Sequence, residues 1–290
     1  MLRYRVISGT LIGAFFFMLP FWVPAWGILI VVGGLAAWTQ YECYAMLRKS
    51  GIPVYTPLGI LAGMAYMTAV FCCAPADAAL AAARHTDVIV LAAVIGAIFL
   101  RPMFDKEHPQ PIAAIGGTLL GFLMVPFMLS FFFRLAFGWE HHGFTSTASV
   151  TGRNLALFTI IVVKVQDIGA YFTGRFLGKH KMAPRISPKK SLEGLAGGLV
   201  TSMLVAALFY HLAGESLGII KPGWGHIVFL GLLLGATGVV GDLFESYLKR
   251  ACATKDSSAA VPGMGGILDV IDSLLPAAPV MFVYTILFLL

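Results

Sequence analysis

Charged residues are scarce in this 290-residue sequence. Asp, Glu, Lys and Arg make up 12% of the chain, whereas soluble domains contain about 25%, and hydrophobic residues make up 59%. A soluble globular domain is therefore excluded, and the composition predicts an integral membrane protein. Cysteine is also rare. Cys43, Cys72, Cys73 and Cys252 lack the spacing of metal ligands, so we predict four free thiols.

Long apolar runs recur along the chain, most of them near the 20 or so residues that cross about 30 Å of hydrocarbon. They are continuous rather than alternating, so strands are not indicated. The predicted fold class is an all-α polytopic membrane protein with about nine transmembrane helices, at 7–23, 25–46, 57–75, 86–100, 111–134, 153–173, 192–213, 226–247 and 272–290. We group them into N-terminal helices (1–85), middle helices (86–150) and a C-terminal region (151–290) with inner loops 173–194 and 248–271.

The cations predict the orientation of the chain. With a cytoplasmic N-terminus, fifteen of the twenty Lys and Arg fall at inner ends and loops, and Lys164 falls inside a span. Only Arg84, Arg134, Arg153 and Lys221 fall on the outer side. This bias predicts a cytoplasmic N-terminus and, after nine spans, an outer C-terminus. The net charge of +6 resides in the inner loops, which indicates anionic headgroups or an anionic substrate as partners rather than nucleic acid.

The chain has only fourteen Asp and Glu, so their positions are informative. Asp167 lies within an apolar span, and Asp269 and Asp272 open the last one. An ionisable residue within a span is costly and indicates function by default. The alternative for Asp167 is a structural ion pair with the lysine three residues before it.

Helical spacing groups the acids further. Four polar residues share one helical face at the inner end of the span 226–247: Asp242, Glu245, Ser246 and Lys249. They are spaced at i, i+3, i+4 and i+7. Asp269 and Asp272 repeat the i, i+3 step, and oxygen ligands on two such faces suit Mg²⁺. Just before them, PGMGG at 262–266 permits a tight turn that can hold phosphate, although many such turns bind nothing. The inner loop 173–194 adds six Lys or Arg. Together the loops indicate cations for phosphate and carboxylates for a metal.

The segment SYLKRACATKDSSAAVPGMGGILDVID at 246–272 resembles the signature of the phosphatidate cytidylyltransferase family. That signature runs Ser-x-apolar-Lys-Arg, four residues, Lys-Asp, a Pro-Gly-His-Gly-Gly turn and Asp-Arg-x-Asp. Eleven positions fall in register: Ser246, Lys249, Arg250, Lys255, Asp256, Pro262, Gly263, Gly265, Gly266, Asp269 and Asp272. The stretch DIGAYFTGRFLGKHKMAPRISPKKSLEG at 167–194 is similar to the family's second landmark.

The resemblance implies a reaction, a cofactor and a location. CTP and phosphatidic acid would give CDP-diacylglycerol and pyrophosphate, in phospholipid biosynthesis, at the cytoplasmic face of a bacterial inner membrane. By family pattern and spacing, Mg²⁺ would be held by Asp242, Asp269 and Asp272, with one or two ions left open, and these acids with Lys249 would be catalytic. The substrate-binding residues would be Asp167, Ser187, Lys189, Lys190, Ser246, Arg250, Lys255, Asp256, Gly265 and Gly266. Membrane lipids are further partners, and a homodimer is left open.

Other functions compete with this one. A transporter of an anionic solute would fit acids within spans, but it would bind near the midplane between repeats, and no repeat is visible. A CDP-alcohol phosphatidyltransferase also spaces Asp residues by three, but it needs an Asp-Gly-x-x-Ala-Arg motif that this sequence lacks. A related enzyme that acts on a prenyl lipid phosphate stays open.

Two positions depart from the family signature: Met264 replaces its His, and Val270 replaces its Arg. The phosphate of the lipid, with a second pKa of about 6, is mostly dianionic at pH 7, so its attacking oxygen requires no general base. We therefore expect Met264→His to change the turnover of CTP by less than about tenfold. The measurement is kcat on purified protein with labelled CTP and phosphatidic acid. A gain of about a hundredfold would contradict the expectation.

Overall fold

The computed structural model describes residues 13–73, 86–104, 110–139 and 147–290. In these ranges the chain is mostly helical, with one short antiparallel pair of strands. The chain divides into two compact units, each made of two segments: Met1–Ser149 with Cys252–Val270, and Val150–Ala251 with Ile271–Leu290. The family signature is therefore divided between the units, with its loop in the first and its last acid, Asp272, in the second.

In the described ranges, the first unit is built mainly from six α-helices. They are α1 (Gly13–Trp22), α2 (Ala25–Lys49), α3 (Thr56–Cys73), α4 (Thr86–Leu100) with a 3₁₀ turn (Arg101–Phe104), α5 (Pro111–Phe122) and α6 (Met128–Phe137). A π-helical stretch (Leu123–Phe127) joins α5 to α6 and contains Pro126, which cannot donate a backbone hydrogen bond. The loop Cys252–Val270 completes this unit.

Tyr44 on α2 joins three helices of the first unit. Its Oη accepts a hydrogen bond from Gln40 Nε2 and donates one to the carbonyl of Thr118 on α5, both at 2.8 Å. Gln40 also donates to the carbonyl of Gly59 on α3 at 2.9 Å. A Cβ atom at Gly59 or Gly121 would collide with the Tyr44 ring, so glycine lets α3 and α5 approach it. In hydrocarbon, where no water can replace these bonds, the network holds the three helices together.

The second unit contains three long helices, a strand pair and the end of the chain. Its elements are α7 (Val150–Leu177), β1 (Lys181–Ala183), β2 (Ser187–Ser191), α8 (Leu192–Leu212), α9 (Trp224–Ala251) and α11 (Leu274–Tyr284), which ends in a π-helical turn (Thr285–Leu289). Along the sequence, the division between the units falls within the short α10 (Leu268–Ile271), between Val270 and Ile271. Small residues let α7 and α8 pack closely, because a Cβ at Gly198 would lie 2.6 Å from Gln166 and 2.9 Å from Ala170.

The strand pair presents the basic sequence SPKKS and leads directly into α8. Lys181 pairs with Ser191, and Ala183 pairs with Ser187. Ser191 is the N-cap of α8, because its side chain accepts a hydrogen bond from Gly194 N at 3.1 Å. Glu193, in the first turn, accepts from the backbone N–H groups of Lys179 and His180. These local bonds fix the lysines of β2 relative to α8.

The all-α polytopic membrane class is confirmed. Each of the nine predicted spans overlaps a helix in the described ranges, but only six described helices are long and apolar enough to cross a membrane: Thr56–Cys73, Pro111–Phe137, Val150–Leu177, Leu192–Leu212, Trp224–Ala251 and Leu268–Leu289. Among the other three, α1 and α4 are short, and α2 carries the polar pair Gln40 and Glu42 near its basic end. The count of nine, the sides of the termini and the three-region grouping stay predictions.

Two glycines of α5 give a matched test of the packing around Tyr44. Gly121→Ala would place a methyl group against the Tyr44 ring, and such overpacking costs about 1–3 kcal/mol. At Gly116 an added Cβ meets no atom within 4 Å, so Gly116→Ala should leave stability unchanged or improve it slightly. We expect the Tm of purified protein in detergent to fall by several degrees for Gly121→Ala only. Equal Tm values for the two variants would contradict the packing described.

Candidate active site

Three carboxylates converge in the second unit: Asp242 and Glu245 from α9, and Asp272, which follows α10. One oxygen from each lies within 4.8 Å of the others. Glu245 is fully buried, Asp272 is 7% exposed and Asp242 is partly exposed. The close approach of the Asp272 backbone to α9 requires Gly241, since a Cβ atom at this position would lie 2.5 Å from the carbonyl oxygen of Asp272. The glycine before Asp242 thus lets the start of the last span reach the acidic face of α9.

Two lysines lie against these acids. Lys190 Nζ is 2.5 Å from Asp242 Oδ2, and Lys249 Nζ is 2.5 Å from Glu245 Oε2. Lys249 lies one turn after Glu245 on α9, whereas Lys190 comes from β2, so the strand pair brings a cation to α9. Buried acids need such partners, because an uncompensated charge in a span is costly.

A third lysine, Lys164, lies within α7 and contacts the start of the last span. Its Nζ lies 3.8 Å from Asp167 Oδ2 and donates to Ser273 Oγ at 2.8 Å. Ser273 Oγ lies 3.4 Å from the same oxygen of Asp167, and its backbone N–H donates to Asp272 Oδ1 at 2.6 Å. Both interpretations of Asp167 therefore have support. It forms an ion pair with Lys164, and it contacts Ser273, whose backbone N–H donates to Asp272 of the cluster. Its role as a substrate-binding residue stays a prediction.

The three clustered carboxylates offer the kind of ligand that binds a hard divalent cation. The ligand atoms are all oxygen, which Mg²⁺ prefers, at about 2.0–2.1 Å. Opposite ligands of such an ion lie about 4.2 Å apart, so the 4.8 Å spread requires only small side-chain shifts. The three carboxylates therefore fit a divalent cation.

Asp269 lies in the first unit and makes different contacts. Its Oδ2 accepts hydrogen bonds from Ser257 N at 2.9 Å, Ser257 Oγ at 2.6 Å and Gly266 N at 2.7 Å. Gly265 has a φ of 102°, which favours glycine, and a Cβ there would lie 2.8 Å from Asp269 Oδ2. Asp269 thus closes the glycine turn. Among the described residues the three-acid cluster contains Glu245 and not Asp269, whose role as a metal ligand stays a prediction.

The other predicted site residues are distributed over both units. In the second unit, Ser246 Oγ donates to Asp242 Oδ1 at 3.4 Å, and Arg250 Nε donates to the carbonyl of Ile186 at 3.4 Å, which links α9 to the strand pair. Ser187 and the exposed Lys189 belong to β2. In the first unit, the loop exposes Lys255 and Asp256 and buries Gly266.

Two buried acids were not among the predicted site residues. The sequence spacing could have identified Glu245, because it lies one turn after Asp242 on the same helical face. Glu42 lies in the predicted span 25–46 and is 3% exposed. It accepts hydrogen bonds from Ser258 and Leu268 of the signature loop, residues 255–268. The rule that an acid within a span indicates function would have selected Glu42, although no spacing pattern shows its partners.

Comparisons with known proteins agree with the signature. The profile of the family described as "Cytidylyltransferase family" matches residues 3–288. The chain is 46% identical over 128 residues to the phosphatidate cytidylyltransferase of Haemophilus influenzae, which covers 44% of each chain. It is 37% identical over 183 residues to that of Chlamydia muridarum, which covers 62% of this chain and 58% of the relative. It is 32% identical over 290 residues to that of Mycobacterium bovis, which covers 96% and 86%.

The extent of these matches differs among the relatives. The chain spans about half the length of the Haemophilus and Chlamydia proteins, and most of the length of the mycobacterial one. The family profile, in contrast, extends over nearly the whole chain and includes both the acids of α9 and the glycine turn. On this match, the chain belongs to the cytidylyltransferase family.

Proposed function

We propose that the protein is a phosphatidate cytidylyltransferase, which converts CTP and phosphatidic acid to CDP-diacylglycerol and pyrophosphate. The observation that carries the proposal is the cluster of Asp242, Glu245 and Asp272 with Lys190 and Lys249. Of these residues, Lys190, Lys249 and Asp272 lie within the two segments that resemble the family's motifs. The relatives named above, each called a phosphatidate cytidylyltransferase, support the choice of substrates.

The reaction transfers a nucleotidyl group between two polyanions. A phosphate oxygen of phosphatidic acid attacks the α-phosphorus of CTP and forms a new P–O bond. The bond from the α-phosphorus to the oxygen that bridges to the β-phosphorus breaks, and pyrophosphate leaves with the electron pair. The attacking phosphate is already mostly dianionic at pH 7, so no side chain has to remove a proton from it. The site must therefore offset anionic repulsion and stabilise the leaving group.

The acids and lysines of the second unit can perform these two tasks. We propose that Asp242, Glu245 and Asp272 hold Mg²⁺, as one ion or two, and Asp269 stays a predicted further ligand. When bound, Mg²⁺ would neutralise phosphate charge and stabilise the leaving pyrophosphate. Lys190 and Lys249 already lie against two of these acids, so their ammonium groups are positioned to bind phosphate oxygens. No protein acid or base is required beyond these charges.

The remaining basic residues would bind the substrates at the cytoplasmic surface of a bacterial inner membrane. Lys189 on β2, Arg250 at the end of α9 and Lys255 in the loop are exposed, as phosphate-binding cations must be. The lipid tails would stay between membrane spans, and the headgroup would meet CTP at the inner ends of α7 and α9. The excess of cations in the predicted inner loops supports this orientation. A homodimer stays a prediction.

The test of the substrates is direct. Purified full-length protein in detergent, with labelled CTP, Mg²⁺ and phosphatidic acid, should form labelled CDP-diacylglycerol and release one pyrophosphate per product. A parallel reaction with a polyprenyl phosphate tests the competing lipid class. Product from the polyprenyl phosphate alone would overturn the proposal.

Asp272→Asn tests the role of the carboxylate cluster. The change keeps the size of the side chain but removes an anionic ligand, so turnover should fall by at least about 10²-fold. The Tm should be unchanged or higher, because one of four clustered acids becomes neutral. Glu215→Gln, which neutralises an exposed acid in the loop between α8 and α9, serves as the control and should retain full turnover. An Asp272→Asn protein that is less stable but fully active would rule out the metal site.

A further inference from the structure

Glu42 on α2 contacts both ends of the glycine-rich part of the signature loop. Its Oε1 accepts hydrogen bonds from Trp38 Nε1 at 3.0 Å and from Ser258 Oγ at 2.7 Å. Its Oε2 accepts from Leu268 N at 3.0 Å and lies 3.3 Å from Ser257 Oγ. All of these residues belong to the first unit. One side chain of the N-terminal helices therefore reaches a loop that lies more than 210 residues later in the sequence.

The chemistry of this contact requires an acid. Within the described part of the chain every hydrogen-bond partner of Glu42 is neutral, and the carboxylate is 3% exposed. Burial of a carboxylate is costly. The hydrogen bonds to Glu42 must therefore offset the free energy that is lost when the carboxylate leaves water. A carboxylate accepts hydrogen bonds and donates none, which matches the three donors that converge on Glu42: Trp38 Nε1, Ser258 Oγ and Leu268 N. An amide at this position would direct its NH₂ group at one of these donors.

The same contact determines the course of the loop. Ser257 and Ser258 directly follow Lys255 and Asp256, and Leu268 directly precedes Asp269. A Cβ at Gly266 would lie 2.5 Å from Glu42 Oε2 and 2.9 Å from Ser258 Oγ, so only glycine lets the chain pass over the acid. Ser257 Oγ donates its proton to Asp269 at 2.6 Å and lies 3.3 Å from Glu42, so Ser257 contacts both Glu42 and the acid that closes the glycine turn.

We infer that Glu42 is a positioning residue that holds the signature loop, residues 255–268, in the conformation that binds the phosphates of CTP. The inference rests on the proposed function, in which Lys255 binds substrate, and it adds that Lys255 and the glycine turn hold the phosphates of CTP rather than that of the lipid. Glu42 acts on substrate through Ser257, Ser258 and Leu268 and does not touch it. The acids Asp242, Glu245 and Asp272 lie in the second unit, so the loss of Glu42 should weaken nucleotide binding more than the chemical step.

Glu42→Gln is the informative change. It preserves side-chain size, and the hydroxyls of Ser257 and Ser258 can reorient, but either the Trp38 indole or the Leu268 amide must then face an NH₂ group. We expect the KM for CTP to rise about tenfold, the size of effect that follows when one buried donor loses its acceptor. The kcat should fall by less than about threefold, and the KM for phosphatidic acid should not change.

Tyr44→Phe is the matched control on the same helix. It removes bonds to Gln40 and Thr118, which belong to the contacts among α2, α3 and α5 and not to the signature loop. It should lower the Tm without changing the KM for CTP. A Glu42→Gln protein that loses Tm or active fraction but keeps the KM of the natural chain, as Tyr44→Phe does, would overturn the inference.

Ser258→Ala completes a double-mutant cycle with Glu42→Gln. If the bond between Ser258 and Glu42 positions the loop, Ser258→Ala should raise the KM for CTP in the natural chain but add little to Glu42→Gln. Strictly additive effects on the KM would count against the inference.

Hydrogen exchange separates this inference from the proposed function. In full-length protein in detergent, Glu42→Gln should speed amide exchange within 257–268 and leave α3 unchanged, whether or not the protein turns over CTP. The natural chain's failure to form CDP-diacylglycerol would end the proposed function. Unchanged exchange in the loop of Glu42→Gln would end the role of Glu42.

Discussion

A carboxylate within a membrane span persists only when cations or hydrogen-bond donors surround it. The carboxylate cluster of the second unit and Glu42 of the first unit meet that requirement in different ways. In the second unit, Lys190 and Lys249 lie against Asp242 and Glu245. In the first unit, Glu42 is surrounded by neutral donors from its own helix and from the signature loop. The first arrangement brings three carboxylates close enough together to share a cation. In the second, the hydrogen-bond partners of Glu42 in the described part of the chain are neutral donors, which suits a role in positioning.

Glycine makes both arrangements possible. Gly241 lets the backbone at Asp272 approach α9, and Gly266 lets the loop pass over Glu42. In each case an added Cβ would lie about 2.5 Å from an oxygen atom. The glycines next to the acids are therefore part of the site: they supply the space in which oxygen atoms from distant parts of the chain come together.

The sequence predicted most of the helices and one local part of the site. Long apolar runs specify the membrane helices, and the i, i+3 spacing of Asp242 and Glu245 holds because both lie in one long helix, α9. The same rule was less informative for Asp269 and Asp272, because α10 ends at Ile271 and a continuous helical face does not join them. Asp269 bonds to Ser257 and Gly266, whereas Asp272 lies near Asp242 and Glu245.

Long-range contacts were beyond the reach of sequence patterns. The contact of Lys190 with Asp242 depends on a strand pair that no hydrophobic periodicity predicted, and the contact of Glu42 with Ser258 joins residues 216 positions apart. The family signature selected segments that contain Lys190, Lys249 and Asp272, which the structure places in or against the carboxylate cluster. It could not assign each acid its partner, since the partners come from other helices.

We propose that the three carboxylates of the second unit form a divalent cation site. The dependence of stability on cation concentration, measured without substrates, tests this most directly. The Tm of the purified natural chain should rise with Mg²⁺ concentration, because a ligand that binds only the folded state stabilises it. Glu245→Gln, which replaces one of the three anionic ligands with a neutral amide, should greatly reduce that rise while still folding. The same Mg²⁺-dependent rise in Tm for Glu245→Gln and for the natural chain would contradict the account.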